Sequence, residues 1–132
     1  MNDSAGLIRW REYMRSPSDE GLMEQLADDA VFHSPVVHNP QVGKKLVFAY
    51  LHAADHVFGN ANFQYIDEII DRDGNKVMLE FTAEIDGIHV NGIDIIRWND
   101  AGKIQNFKVM VRPMKAMNIL WEKMAAMLEK QK

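Results

Sequence analysis

The stretch HVNGIDIIRWNDAGKI, residues 89–104, combines a strand, a turn and the beginning of a second strand. Every second residue from Ile88 onward belongs to one stripe, which consists of Ile88, Val90, Gly92, Asp94, Ile96 and Trp98. This alternation is typical of a β-strand with one buried face. The stripe is apolar except for a single carboxylate. It therefore predicts a sheet that carries an acid, Asp94, on its buried face.

The segment before this strand predicts how it is paired. KVMLEFTAEI, residues 76–85, alternates in the same way, and the DG that follows is a two-residue hairpin turn. Pairing Ile85 with Ile88 sets Leu79 opposite Asp94. The predicted inner face of this strand consists of Val77, Leu79, Phe81, Ala83 and Ile85.

The segment after the strand extends the sheet. The loop NDAG, residues 99–102, turns the chain and pairs Trp98 with Lys103 in the predicted register. That register places three apolar residues on the face that holds Asp94, namely Phe107, Val109 and Val111.

Four helices are predicted around this meander. Ser4 is placed to cap a first helix and Ser18 to cap a second. Residues 44–58 carry apolar groups at helical spacing, and Pro113 opens a last helix. The predicted inward residues of the first helix are Leu7, Ile8, Trp10 and Met14. Those of the last helix are Met114, Met117, Leu120, Trp121, Met124 and Met127.

This order of elements predicts an α+β fold in which a curved antiparallel sheet wraps around the N-terminal helices as a cone-shaped barrel, with a C-terminal helix. No repeat or linker divides the chain, so residues 1–132 are expected to form a single domain. The predicted outer face of the sheet is substantially apolar, which predicts a homodimer through that face. Its residues include His89, Ile93, Ile95 and Met110.

Composition narrows the classes of partner. The net charge is −4 and no basic block occurs, which argues against nucleic acid. No apolar run is long enough to span a membrane, and the first residues lack the apolar core of a signal peptide. The chain contains no cysteine, which excludes disulfides, thiolate metal sites and a thiol nucleophile. A cytoplasmic location is the expectation.

Two longer motifs point to a family. LADDAVFHSPV, residues 26–36, together with GIDIIRWNDAGKIQNFKVMV, residues 92–111, resembles the nuclear transport factor 2-like superfamily in its SnoaL-like branch. The resemblance covers nearly the whole chain and implies the cone-shaped fold. Function is less constrained, because this superfold hosts isomerases, cyclases, hydratases, dehydratases and non-catalytic binding domains.

The resemblance to ketosteroid isomerases matches at one of three catalytic positions. Asp94 falls on their pocket aspartic acid, which donates a hydrogen bond to a developing oxyanion. Ser34 stands where those enzymes keep the general-base aspartate, and Trp10 stands in place of their oxyanion-hole tyrosine. The departures predict that the chain is not a ketosteroid isomerase, whereas the match implies that Asp94 points into the hollow.

Each predicted site residue has a structural alternative. Asp94 is expected to be a general acid or base with a raised pKa, or else a buried acid hydrogen-bonded to Trp10 or Tyr50. Ser34 is expected in a pocket wall rather than as a nucleophile, because no His–Asp relay accompanies it. Trp10 and Tyr50 are either pocket groups or core aromatics. Three apolar residues complete the predicted pocket: Phe81, Phe107 and Val109.

The histidines do not predict a metal site. His52 and His56 are four residues apart on a helix, but they lie at or beyond the edge of its apolar face and no carboxylate completes a zinc motif. His33 is expected to point away from the hollow, unless the first strand ends early, in which case it could reach the rim and act as a base. Whether His38 reaches the rim is left open by the sequence. Neither a metal nor an organic cofactor is predicted.

Three functions remain open from the sequence. The first is a cofactor-free enzyme that uses Asp94 for isomerisation, cyclisation, hydration or dehydration of an apolar small molecule. The second is a non-catalytic domain that binds a hydrophobic ligand. The third is a dimeric interaction module in which the outer face of the sheet matters.

Overall fold

The structure, a computed structural model, describes residues 4–130. The helices and the strand meander follow the order that the sequence predicts, and the α+β fold class is confirmed. The elements are α1 (Ala5–Arg15), α2 (Asp19–Gln25), β1 (Leu26–His33), β2 (Gln41–Val42), α3 (Lys44–Phe58), β3 (Gln64–Asp71), β4 (Lys76–Ile85), β5 (Ile88–Trp98), β6 (Ile104–Arg112) and α4 (Met114–Lys130).

Serine side chains begin the first two helices. The Leu7 N–H donates to Ser4 Oγ at 3.2 Å, and the Gly21 N–H donates to Ser18 Oγ at 3.0 Å. Both contacts satisfy backbone donors that have no partner inside the helix. The predicted caps of α1 and α2 are therefore confirmed.

The sheet is curved, open and mixed. Its strand order is β2-β1-β6-β5-β4-β3. Neighbouring strands run antiparallel except β1 and β6, which are parallel. The prediction of a purely antiparallel sheet is wrong at this pair, because a long crossover through α3 and the meander brings β6 back beside β1 in the same direction.

The central hairpin has the predicted register. Ile85 pairs with Ile88, and Leu79 pairs with Asp94. The next pairing differs, since Trp98 pairs with Ile104 rather than Lys103 and Asp94 lies opposite Val109. A bulge at Arg97 and Trp98 accounts for the difference. Because the pairing at Asp94 differs from the predicted one by an even number of residues, the inward face is preserved.

Two apolar clusters fill the space between sheet and helices. One contains Leu7, Trp10, Phe32, Ile96 and Phe107, and the other contains Phe81, Ala83, Val90, Ala116 and Leu120. Three partly buried side chains pack against both clusters, namely Tyr50, Tyr65 and Val109. The site described below lies at this junction.

Some predicted inward residues are exposed. Ile8 is 44% exposed, Met114 78% and Trp121 49%. In α4 the buried positions are Ala116, Leu120 and Met124, so the helix turns a narrower face inward than its large apolar residues suggested. Among the described residues, no helix is both long and apolar enough to cross a membrane.

Candidate functional site

A cavity of about 70 Å³ lies between the two apolar clusters. Its wall is mostly apolar, and seven of its eighteen residues are aromatic. Six of the seven predicted site residues line it, namely Trp10, Ser34, Phe81, Asp94, Phe107 and Val109. Tyr50 is not part of this lining, and its ring instead packs against that of Phe32 with centroids 5.5 Å apart. The placement of Tyr50 in the pocket is therefore corrected to a core position.

Asp94 is the buried acid of this cavity. It is 7% exposed, and its position on the inner stripe of β5 places it opposite Leu79 and Val109. Burial raises the pKa of Asp94 to about 7, against a smaller lowering by a hydrogen bond from Tyr65. The carboxyl group therefore exchanges its proton near neutral pH.

A chain of hydrogen bonds holds Asp94. The Tyr65 hydroxyl donates to Asp94 Oδ2 at 2.5 Å, and the Trp10 Nε1–H donates to the Tyr65 hydroxyl oxygen at 3.2 Å. Burial, with the neighbouring Asp94, raises the pKa of Tyr65 well above its usual value, so Tyr65 stays a donor. The alternative in which Trp10 or Tyr50 bonds Asp94 directly is wrong, because Tyr65 lies between Trp10 and the acid.

Asp55 is a second carboxylate in the cavity wall that the sequence reasoning missed. It projects from α3, and its Oδ2 accepts a hydrogen bond from the Tyr13 hydroxyl. Burial raises the pKa of Asp55, while the bond from Tyr13 lowers it. A sequence signal existed, because Asp55 lies one helical turn after the buried Leu51 and so falls on the inward face of α3.

Tyr65 also lines the cavity, but it was not predicted as a site residue for a different reason. β3 is an edge strand whose side chains are mostly exposed, so its sequence lacks the alternation that marks an inner face. The ring of Tyr65 packs edge-on against Phe63 with centroids 5.0 Å apart. Only the three-dimensional register of β3 on β4 directs its hydroxyl toward Asp94.

Ser34 lies at the cavity wall but is engaged locally. Its Oγ accepts a hydrogen bond from the Val36 N–H at 3.2 Å, which shapes the loop after β1. His33 is not part of the cavity lining and instead lies, with His38 and Lys108, in a second groove. Partial burial and the neighbouring Lys108 lower the pKa of His33.

The histidine pair of α3 lies beside the cavity rather than in it. His52 and His56 approach at 3.3 Å between Nε2 atoms, and His52 Nε2 lies 3.1 Å from Asp19 Oδ1. Within residues 4–130, no group of three or more histidine, aspartate or glutamate side chains is arranged to hold a metal ion.

Comparison with known proteins gives a family but no curated relative. The model of the SnoaL-like domain matches residues 7–107. No curated protein matches the chain significantly.

Solved structures share the fold. A steroid delta-isomerase from Pseudomonas aeruginosa is 37% identical, with 96% of this chain and 91% of that chain covered and a TM-score of 0.90. An uncharacterised protein with a cystatin-like fold from Silicibacter pomeroyi is 28% identical, with 92% and 84% covered and a TM-score of 0.83. The epoxide hydrolase/cyclase-like enzyme SalBIII, at 18% identity, is similar in fold alone, with 83% and 92% covered and a TM-score of 0.66. With its family model matched over most of its length, the chain belongs to the SnoaL-like domain family.

Proposed function

We propose that the protein catalyses proton transfer on a small apolar carbonyl compound, with Asp94 as the donor to the carbonyl oxygen. The observation that carries this proposal is the burial of Asp94 beside an apolar cavity, where its pKa is raised to about 7. A carboxyl group that keeps its proton near neutral pH can donate to an oxygen on which negative charge develops. Isomerisation is the reaction favoured, and cyclisation or hydration would use the same donor.

The hydrogen-bond chain supports a donor role. Because Tyr65 occupies Oδ2 of Asp94, a proton carried on Oδ1 is available to a ligand. Trp10 in turn fixes the Tyr65 hydroxyl, so the acid is held in one orientation before a ligand arrives. Such preorganisation is what makes a buried donor effective, since little reorganisation is needed during the reaction.

The size of the cavity favours a small substrate. Its volume of about 70 Å³ is well below the roughly 300–1,000 Å³ of pockets that enclose drug-sized ligands. A larger, steroid-sized molecule would require side chains to move, and the flexible Met14 and Met124 in the wall are the residues suited to do so. The prediction that the chain is not a ketosteroid isomerase stays a prediction.

A related structure supports the reaction class. The Pseudomonas aeruginosa protein at 37% identity is named a steroid delta-isomerase, so isomerisation is the reaction that its name gives to that protein. That name is compatible with acid–base chemistry in an apolar cavity.

A second candidate is a binding domain without catalysis. It is favoured by Ser34, a neutral residue of the cavity wall whose hydroxyl oxygen already accepts the Val36 N–H. In that case Asp94 would only orient a ligand. The two candidates differ in whether a bound ligand exchanges protons with solvent.

The test combines binding with isotope exchange. Thermal unfolding is measured against small cyclic ketones, enones, lactones, epoxides and a steroid, and deuterium uptake from D₂O into the carbonyl compounds is followed by NMR. Wild type is expected to be stabilised by a small enone such as cyclohex-3-enone and to catalyse its exchange. Asp94→Asn is expected to bind but to lose at least about 100-fold in exchange rate.

A matched control separates the site from general charge effects. Asp100→Asn removes one exposed acid in the turn after β5 and is expected to behave as wild type. Binding without exchange would replace the enzyme proposal with the binding domain. Exchange that survives Asp94→Asn would remove Asp94 from the reaction.

We also propose that a second copy of the chain covers the outer face of the sheet. Five apolar side chains lie there together: Ile69, Met78, Ile93, Ile95 and Met110. The same face carries Glu80 and Glu84 on β4 and Lys108 and Arg112 on β6. A two-fold axis near β5 would set the acids of one copy against the bases of the other.

Met110→Glu is expected to convert this dimer into a monomer. Met110 is 51% exposed in the single chain, so a charge there leaves the fold intact but must be desolvated in the interface. Light scattering should give twice the chain mass of 15.2 kDa for wild type and one chain mass for the variant. Trp121→Glu, which changes an exposed residue of α4, should remain a dimer. A monomeric wild type would refute the proposal.

A further inference from the structure

We propose that Asp55, in the helical wall of the cavity, is the proton acceptor that works together with Asp94. The substrate is then a carbonyl compound with an acidic C–H bond beside the carbonyl group, such as a ketone or a β,γ-unsaturated ketone. This assignment rests on the function proposed above, and it gives the site both halves of a proton-transfer reaction.

The placement of Asp55 carries the assignment. Two carboxylates line the cavity in the described part of the chain, one on the sheet and one on a helix. The Asp55 side chain comes from α3, whereas Asp94 comes from β5. A small molecule between them would therefore meet one carboxyl group at its oxygen and the other at a carbon.

Ser34, which lies in the cavity wall after β1, does not supply an acceptor. Ser34 is neutral, and a serine hydroxyl without a partner base accepts a carbon-bound proton poorly. Its oxygen already accepts the Val36 N–H. Asp55 reaches the same cavity from α3, so the cavity contains a carboxylate that can accept a proton.

The hydrogen bond from Tyr13 favours the charged, acceptor form of Asp55, against the burial that raises its pKa. The Tyr13 hydroxyl donates to Asp55 Oδ2, which stabilises the carboxylate and leaves Oδ1 for a substrate proton. Burial raises the pKa of Tyr13 far above neutral, with the Asp55 contact adding to the effect, so the phenol remains a donor. We regard Tyr13 as a positioning residue.

The surroundings of the two carboxyl groups favour Asp94 as the proton donor and Asp55 as the proton acceptor. Asp94 is 7% exposed and faces Tyr65, whereas Asp55 is only half-buried. The groups that face Asp55 are Tyr13 from α1, Asp19 from α2, His52 and His56 on α3, and, across the cavity, Tyr65 and Asp94. Protonated histidines favour the Asp55 carboxylate, and its charge in turn disfavours ionisation of Asp94. These charges favour an arrangement in which Asp94 carries the proton and Asp55 the charge.

The reaction balances with these two groups alone. The Asp55 carboxylate takes the proton from the carbon next to the carbonyl, and the C–H electron pair forms a C=C bond to the carbonyl carbon. The carbonyl π pair moves to oxygen, which is stabilised by the proton of Asp94. Asp55 then returns its proton to the γ-carbon, the C=O bond re-forms, and a conjugated isomer leaves.

Exchange and isomerisation of cyclohex-3-enone in D₂O test the assignment. Asp55→Asn keeps the shape of the side chain and can still accept from Tyr13, so binding measured by NMR titration should stay within about 3-fold of wild type. Its kcat for exchange should fall by at least about 100-fold, as for Asp94→Asn. Asp100→Asn again serves as the charge-matched control.

The pH dependence of the exchange rate is a second test, because it would not change if Asp55 had only a structural role. In wild type the exchange rate should rise with pH as Asp55 ionises and fall as Asp94 loses its proton at about pH 7. The two apparent pKa values of this profile belong to the coupled pair of carboxyl groups rather than to either one alone. Tyr13→Phe removes a bond that lowers the pKa of Asp55, so the rising limb should move to higher pH. This variant retains both carboxylates and serves if Asp55→Asn does not fold.

The outcomes separate the two proposals. If Asp94→Asn loses exchange while Asp55→Asn retains the wild-type rate, the proposed function stands and the role of Asp55 is refuted. An unmoved rising limb in Tyr13→Phe would also count against it. If wild type shows neither exchange nor isomerisation, the proposed function fails and the assignment of Asp55 falls with it.

Discussion

Asp94→Asn is expected to become steadily more stable relative to wild type as the pH rises from about 4 to about 8. The difference in free energy of unfolding between the two proteins should grow by on the order of 4 kcal/mol across this range. That is a large part of the roughly 5–15 kcal/mol by which a domain is stable.

The sign follows from proton binding. In the unfolded chain Asp94 loses its proton near its usual pKa of 3.8, whereas in the folded protein it holds the proton up to about pH 7. Between these values the folded state binds more protons than the unfolded state, so raising the pH lowers stability. Above about pH 7 the full cost of a buried charge is present. Asparagine has no proton to lose, and its carbonyl oxygen can still accept from Tyr65.

Urea unfolding of both proteins at a series of pH values measures this effect. Asp55 also has a raised pKa, but it is present in both proteins, so the difference between their curves reports mainly on Asp94. Asp100→Asn should follow wild type throughout. Curves for Asp94→Asn and wild type that stay parallel from acid to neutral pH would show that Asp94 ionises normally and is not held in an apolar site.

Gly92→Ala is expected to destabilise the protein and to deform the cavity. A Cβ at this position would lie 2.5 Å from Phe81 Cζ and 2.6 Å from the Met110 carbonyl oxygen. Phe81 is 1% exposed and stacks on Phe63 with ring centroids 4.8 Å apart, so it has no room to retreat. The Met110 oxygen belongs to the neighbouring strand, so the backbone would also have to move. Overpacking of this kind costs about 1–3 kcal/mol.

Thermal unfolding should show a Tm lower by roughly 4–12 °C for Gly92→Ala. Gly74→Ala is the matched control, because its nearest contact would be Asp71 Oδ2 at 2.5 Å, the mobile end of an exposed side chain. That variant should unfold close to wild type. A Gly92→Ala protein as stable as wild type would mean that Phe81 can leave its position, and the cavity wall would then be softer than its packing implies.

The central hairpin could be predicted from sequence because its turn is chemically specific. Asp86 and Gly87 both adopt positive φ, 50° and 80°, in a two-residue turn that only one register satisfies. The position of the next turn, at residues 99–102, was predicted correctly, but the pairing of β5 with β6 beside it was not. There Asn99 Oδ1 accepts the N–H groups of Ala101 and Lys103, each at 3.0 Å, and the chain forms a bulge at Arg97 and Trp98. Local side-chain contacts of this kind leave no periodic signal.

Residues of the site could be predicted only where the sequence shows a strong periodic pattern of apolar residues. Asp94 interrupts an alternating stripe and so was identified as a buried acid. Asp55 interrupts a helical stripe in the same way, but the apolar residues of α3 spread over a broad arc and obscure it. Tyr65 belongs to an edge strand without alternation, and its hydroxyl reaches Asp94 across 29 positions of sequence. Contacts of this range depend on the curvature of the sheet, which sequence patterns do not encode.

The hydrogen bond from Trp10 to Tyr65 gives the cavity an optical reporter. The emission of an indole responds to charges near its ring and to the water around it, and Trp10 is 3% exposed with its N–H linked through one hydroxyl to Asp94. The chain contains three tryptophans, and the other two, Trp98 and Trp121, lie outside the cavity wall. With those two replaced by phenylalanine, the fluorescence of Trp10 follows both the ionisation of Asp94 and the arrival of a colourless ligand, and neither measurement needs a label or a substrate that reacts.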